Sequence, residues 1–219
     1  MYKTRLETIA INSWQVKLNR VTNIDELYDH LINQDAQSDA VLDERIPYWA
    51  ELWASAIAMS EYIAENGLVK QETFVHEIGC GLALPAIVSG MMGGKVLVSD
   101  YLEQPLKVAS ENWLLNCNGT LQSRIIDWRF LTDDIPQCEL LIAADVAYEK
   151  RMFEPLINVF NTLVKRDGVI LFSEPKRKHT QPFYEMLKKN NFLVTTFSTD
   201  VMMNNFKQGV NVNVIKKPF

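Results

Sequence analysis

The chain has 219 residues, 47% of them hydrophobic and 22% charged, with a net charge of −5. That is room for one domain with a sizeable core, and the negative balance argues against a nucleic-acid partner, whose phosphates call for the opposite sign. Three scattered cysteines, no apolar signal core at the N-terminus and no uncharged apolar run of about 18 residues argue against a disulfide framework, a secreted product and a membrane partner, and so point to the cytoplasm.

Residues 5–11 and 14–20 alternate apolar and polar positions around Asn12-Ser13, which predicts a β-hairpin or extended arm. Asp25 to Leu31 suits a short helix, and the acidic stretch from Asp35 to Glu44 reads as a connection. Residues 1–45 are therefore expected to be an N-terminal extension, and residues 46–219 the main domain. Leu52, Ala56, Met59 and Ile63 recur at helical spacing, with Gly67 as the stop. Strands follow at Thr73 to Ile78, Lys95 to Asp100, Arg124 to Trp128 and Glu139 to Ala144. Helices are expected at Leu84 to Met92, Leu106 to Asn116 and Phe153 to Val164. Asp167-Gly168 reads as a turn into the strand Val169 to Ser173. A helix near Phe183 to Lys189 and an antiparallel pair, Phe192 to Ser198 with Val210 to Lys216, close the chain. Nearly continuous apolar strands alternating with helices predict a parallel sheet covered on both faces. Ligands in such sheets bind beyond the carboxyl ends of the strands, where the strand order switches.

Glu77-Ile78-Gly79-Cys80-Gly81 closes the first of these strands. Glycines there permit a sharp turn and a close ligand approach, although a GxG pair alone is also an ordinary tight turn. The sharper signal is Asp100, about 20 residues on at the end of the next strand, where a carboxylate accepts from two ribose hydroxyls. A dinucleotide fingerprint needs a third small residue where this chain has Leu84. The looser pattern Gly79, Gly81, Ala83 suits S-adenosylmethionine, which has no phosphate. Glu77 suits the ammonium of its methionine moiety; the alternative is a residue that caps the loop amides.

Pro47 to Met59, Glu77 to Pro85, Asp127-Trp128 and Ala144-Asp145-Val146-Ala147-Tyr148 are similar to successive blocks of the family 16 seven-strand protein methyltransferases. That group includes the lysine methyltransferases of molecular chaperones and of the electron-transfer flavoprotein β subunit. The resemblance covers about residues 46 to 195. It departs from the pattern at Ala83 and Ala86, where relatives often carry glycine. It implies an α/β, Rossmann-like, doubly wound seven-stranded sheet, mostly parallel with an antiparallel last strand. The first strand is expected at the centre, and the hairpin outside the sheet near the acceptor side.

The resemblance further implies that Trp53, Gly79, Cys80, Gly81, Asp100, Trp128 and Ala144 contact the cofactor. Trp128 would border the adenine, with Asp127 accepting from its amino group, unless Trp128 is a core residue. An aromatic face from Trp53 would favour a sulfonium, unless Trp53, like Trp49, only packs. Asp145 and Tyr148 put a carboxylate and a phenol at the methyl-donor mouth, where a partly dry pocket favours the neutral amine of a lysine. The bland reading is a helix cap and a packing ring. The run Ser173 to Arg177 either lines the acceptor channel or is a surface loop. His30, His76 and His179 form no metal or nucleophile arrangement. A small-molecule amine remains the second acceptor, and a non-catalytic nucleoside-cofactor binding module the reading from another class.

Overall fold

The computed structural model describes residues 2–35, 37–43 and 45–217. Ala36 and Glu44, within the expected acidic connection, lie outside them, as do Met1, Pro218 and Phe219. Strands β1 (Thr4–Ile11) and β2 (Trp14–Val21) form a two-stranded antiparallel sheet. Helix α1 (Ile24–Ile32) and the single-turn α2 (Asp39–Leu42) follow. After a 3₁₀ turn at Tyr48–Ala50 comes α3 (Ala54–Asn66), which stops at Gly67 in the left-handed conformation. The helix starts after Trp53 rather than before it, so Trp49 belongs to the separate turn.

The main unit then alternates β3 (Phe74–Ile78), α4 (Leu84–Met91), β4 (Lys95–Asp100), α5 (Glu103–Leu114) and β5 (Gln122–Ile125). It continues with β6 (Cys138–Ala144), α6 (Phe153–Leu163), β7 (Val164–Glu174), α7 (Gln181–Lys189), β8 (Leu193–Met203) and β9 (Phe206–Lys216). The seven strands lie in the order β5-β4-β3-β6-β7-β9-β8, and β9 alone runs against its neighbours. The chain winds outward from β3 to β5 and returns to β6 on the other side of β3, so the switch in strand order falls between β3 and β6. β3 is interior, one place from the middle.

Two local expectations change. The turn expected at Asp167-Gly168 is carried inside β7: the ladder with β6 slips between Cys138 and Leu140, which face Val164 and Val169. The closing pair is longer than its apolar pattern, because Asn204 and Asn205 both adopt positive φ (51° and 64°) and make a two-residue hairpin turn. An Asn-Asn pair gives a weaker turn signal than Asn-Gly.

The core has one cluster on each face of the sheet. One joins α3, α4 and α5 to the hairpin; the other packs Phe160, Phe172 and Phe183 from α6, β7 and α7. The hairpin is outside the main sheet but not dispensable to the core, since Ile11, Val16, Leu18 and Val21 are buried with α4 and α5. It lies over the helices, and Tyr2, just before β1, packs against Trp49 on the rim of the strand-end cavity. No helix among the described residues is long and apolar enough to cross a membrane.

Candidate active site

All the parallel strands end on one edge, and the chemistry gathers there. After β3, Gly79 and Gly81 take φ of 59° and 48°. A Cβ on Gly79 would come within 2.9 Å of Val146 Cγ1, and one on Gly81 within 3.2 Å of the Trp49 carbonyl. Both positions thus need glycine for conformation and for space. The loop is tied down by the Cys80 amide, which donates to Ser99 O at 3.1 Å, and by the Ala83 amide, which donates to Cys80 O at 2.7 Å. Glu77 is buried, and its Oε2 accepts from the Ala86 amide at 2.9 Å, so it caps α4 while lining the same cavity. The capping reading of Glu77 thus holds, and the same residue lines the cavity. Burial pushes its carboxyl up to about 8.

Asp100 ends β4, buried, with its carboxylate accepting from the Leu102 amide at 3.2 Å. Burial again dominates and pushes it up to about 7, against the pull of backbone N–H groups at Leu102, Gly81 and Tyr101. Unfolded carboxyls titrate near about 4. Two carboxyls that hold their protons to about 7 and 8 when folded favour the fold fully below about pH 4, and that contribution is lost as pH rises through 7 and 8. We expect the ligand-free protein to melt earlier at pH 9 than at pH 6. Glu77→Gln keeps an oxygen for the Ala86 amide and should recover part of the alkaline loss in a thermal-melt series; an unchanged slope would remove Glu77 as its source.

Beyond β5, the Trp128 ring lies against Gly79, and its buried Nε1 has no hydrogen-bond partner. A buried donor without a partner costs about 1–3 kcal/mol, which a ligand acceptor at the cavity wall would recover. Asp127 differs from expectation. Both its oxygens are held by Arg129, which also grips Asp43 at 2.7 and 3.1 Å, and the guanidinium holds the Asp127 carboxyl below the usual range. Asp127 reaches the cavity, but its acceptor capacity is largely committed to a charged clasp.

Ala144 ends β6, and Asp145 follows it at φ 57°, its amide donating to Ser173 O at 2.8 Å. Left-handed backbone is unusual outside glycine, although aspartate tolerates it. The nearly buried Asp145 carboxylate is ion-paired with Arg177 and accepts from Ser55 Oγ at 3.3 Å. Burial raises its pKa, with Arg177 opposing. Arg177 in turn is fixed by its own amide, which donates to Glu174 Oε2 at 2.8 Å. The run from Ser173 to Arg177 is thus joined to the site through Asp145. Tyr148 is partly exposed, with its ring 5.4 Å from Tyr48, which stands 6.2 Å from Trp53. The Trp53 Nε1–H donates to the Tyr48 carbonyl at 3.0 Å. Tyr48 and Arg129 were not singled out from the sequence. Tyr48 stands in the Pro47 block with no periodicity to mark it, and Arg129 resembles any solvated cation until its two carboxylates are seen.

One cavity of about 1130 Å³, counted to its open mouth, is lined by Trp53, Glu77, Gly79, Cys80, Gly81, Asp100, Asp127, Trp128, Ala144, Asp145 and Tyr148. It therefore collects the residues marked for the cofactor together with Asp145 and Tyr148, while the run Ser173 to Arg177 stays outside its lining. Its glycine cradle, the unpartnered Trp128 donor and the carboxylates of Asp100 and Glu77 fit a nucleoside with a cationic amino-acid end.

A family model described as lysine methyltransferase matches residues 44–190. Among curated relatives, the protein N-lysine methyltransferase METTL21A of Xenopus tropicalis is 25% identical over 64% of this chain and 66% of its own length. The histone-arginine methyltransferase METTL23 of Mus musculus is also 25% identical, over 61% and 57%. The chain thus spans between 57 and 66% of the length of these two relatives. Among solved structures, magnesium protoporphyrin IX methyltransferase from Synechocystis PCC 6803 with bound SAM shares the fold with a TM-score of 0.59 at 15% identity, covering 90% of this chain and 92% of that one.

Proposed function

The chain belongs to the lysine methyltransferase family, and on that footing we propose that it transfers a methyl group from S-adenosylmethionine to the side-chain amine of a protein lysine. The observation that carries this reading is the single cavity in which the nucleoside-type cradle meets Asp145, Tyr148, Tyr48 and Trp53. In this reading Asp100 accepts from the ribose hydroxyls and Glu77 from the ammonium. The loop Gly79-Cys80-Gly81 and Ala144 lie along the chain of the ligand. Trp128 borders the adenine, with Asp127 behind it in its clasp with Arg129. The bound cofactor supplies an electrophilic methyl on a sulfonium.

The protein's own residues prepare the acceptor. The rings of Tyr48, Trp53 and Tyr148 make a partly dry wall, which disfavours the ammonium form of a lysine and favours the neutral nucleophile. Asp145, held by Arg177 and Ser55, and the Tyr148 phenol orient the nitrogen. Transfer would break the methyl–sulfur bond, leave the cofactor as a neutral thioether and the lysine as a secondary ammonium, and the ammonium would shed its proton to solvent at the open mouth. The free thiols Cys80, Cys117 and Cys138 support a reducing, cytoplasmic setting, and the charge of −5 supports a protein acceptor over nucleic acid.

Incubation of the protein with labelled S-adenosylmethionine and a lysate lacking it, followed by peptide mass spectrometry, tests the proposal. Label on a lysine is the expected result. Label on an arginine or histidine would overturn the acceptor while keeping the reaction, and label confined to small molecules would favour the second acceptor class.

A further inference from the structure

We propose that the N-terminal hairpin is a brace for the glycine loop of the cofactor site, and that Asn112 is the positioning residue which transmits its support. The loop has little local reason to keep its shape. Gly79, Gly81 and Ala83 all sit at positive φ, where glycine is unconstrained and alanine disfavoured. Beyond the bond from the Ala83 amide to Cys80 O inside it, the loop is held by bonds from outside, and one comes from α5.

The Asn112 side chain is fully buried between hairpin and loop. Its Oδ1 accepts from the Asn19 amide on β2 at 2.6 Å, and its Nδ2 donates to the Leu82 carbonyl at 3.2 Å. A backbone donor on one side and a backbone acceptor on the other fix the orientation of the amide. One turn on, Asn116 accepts from the Lys17 amide at 2.8 Å and donates to the Lys17 carbonyl at 2.7 Å, which pairs that residue of β2 much as a neighbouring strand would. A second route runs through Tyr2, whose hydroxyl donates to Glu111 at 2.9 Å and whose ring packs edge-on against Trp49. The Trp49 carbonyl in turn lies directly over Gly81. The N-terminal segment thus reaches the loop at two successive residues, the hairpin at Leu82 through Asn112, and Tyr2, just before β1, at Gly81 through Trp49.

The consequence for ligand binding rests on the cofactor reading; the brace itself does not. Asn112→Asp keeps the acceptor for Asn19 and sets a carboxylate oxygen against the Leu82 carbonyl. In the full chain without ligand, hydrogen exchange at the Cys80, Ala83 and Ala86 amides should quicken about tenfold, on the scale of one buried hydrogen bond lost. Amides of β6 and α6 should not change. The dissociation constant for S-adenosylhomocysteine should rise by about the same factor. Phe192→Leu, in the core cluster on the other sheet face, supplies a control whose lower melting point leaves the loop amides and the affinity unchanged. If Asn112→Asp does not fold, Asn116→Ala loosens only the hairpin side, and the loop amides should still quicken. Unchanged loop exchange in the folded variants, or equal effects from Phe192→Leu, would overturn the brace. Should the parent protein not bind S-adenosylhomocysteine, the cofactor reading fails, while the exchange rates still decide the brace.

Discussion

Asp145→Asn is expected to lower turnover about a hundredfold, the scale on which a reacting group misplaced by about 1 Å loses rate, while the cofactor dissociation constant changes little. Asparagine is the cleaner variant. Position 145 has φ 57°, which asparagine adopts more readily than alanine, and the amide can still accept from Ser55. Asp145→Ala would add backbone strain and strip Arg177 of its partner, so its melting point should fall as well. Tyr148→Phe keeps the ring edge-on against Tyr48 and removes only the hydroxyl, so its defect should be smaller and confined to turnover. Kinetics, cofactor titration and melts on all three variants separate the roles. Normal turnover per folded molecule in Asp145→Asn and Tyr148→Phe would show that these residues only cap and pack.

The second large effect belongs to Asp100. On the proposed reading, Asp100→Ala would remove a charged acceptor for two ribose hydroxyls, each such bond being worth about 1.5–3 kcal/mol, so the dissociation constant should weaken at least tenfold (about 1.4 kcal/mol). The parent protein should also show a pH dependence. The Asp100 carboxyl is held up to about 7 by burial, and hydroxyl donors favour its ionised form, so binding must release a proton below that pH. Affinity is expected to rise between about pH 6 and 8 and then level off. Part of the rise up to about pH 8 would come from Glu77, which burial holds at about 8 and a ligand ammonium would ionise. In Asp100→Ala the rise near 7 should vanish and the later one remain. A titration curve unchanged by the substitution would place the ribose elsewhere.

The residues expected at the site show where sequence and tertiary structure divide. Gly79, Gly81 and Asp100 could be read from the chain because a turn after a strand and an acid at the end of the next strand belong to one β-α-β unit, whose geometry is local. Asp145 and Tyr148 stand within one short block for the same reason. Arg177 is 32 residues from Asp145, and the Arg129–Asp43 contact spans 86; no periodicity couples positions so far apart.

By itself, the sequence determined the alternation of strands and helices, because a face that must be buried dictates a period of two or of 3.6 residues wherever the chain goes. It also determined which residues stand at the strand ends, and so which chemistry could meet there. Only the tertiary structure decided that the chain returns to β6 beside β3, that β9 inserts between β7 and β8, and that the hairpin joins the core. It also decided that Asp127 and Asp145 are each held by an arginine. Those outcomes rest on long-range packing and on charges that find partners once solvent is excluded, and neither leaves a mark on neighbouring residues.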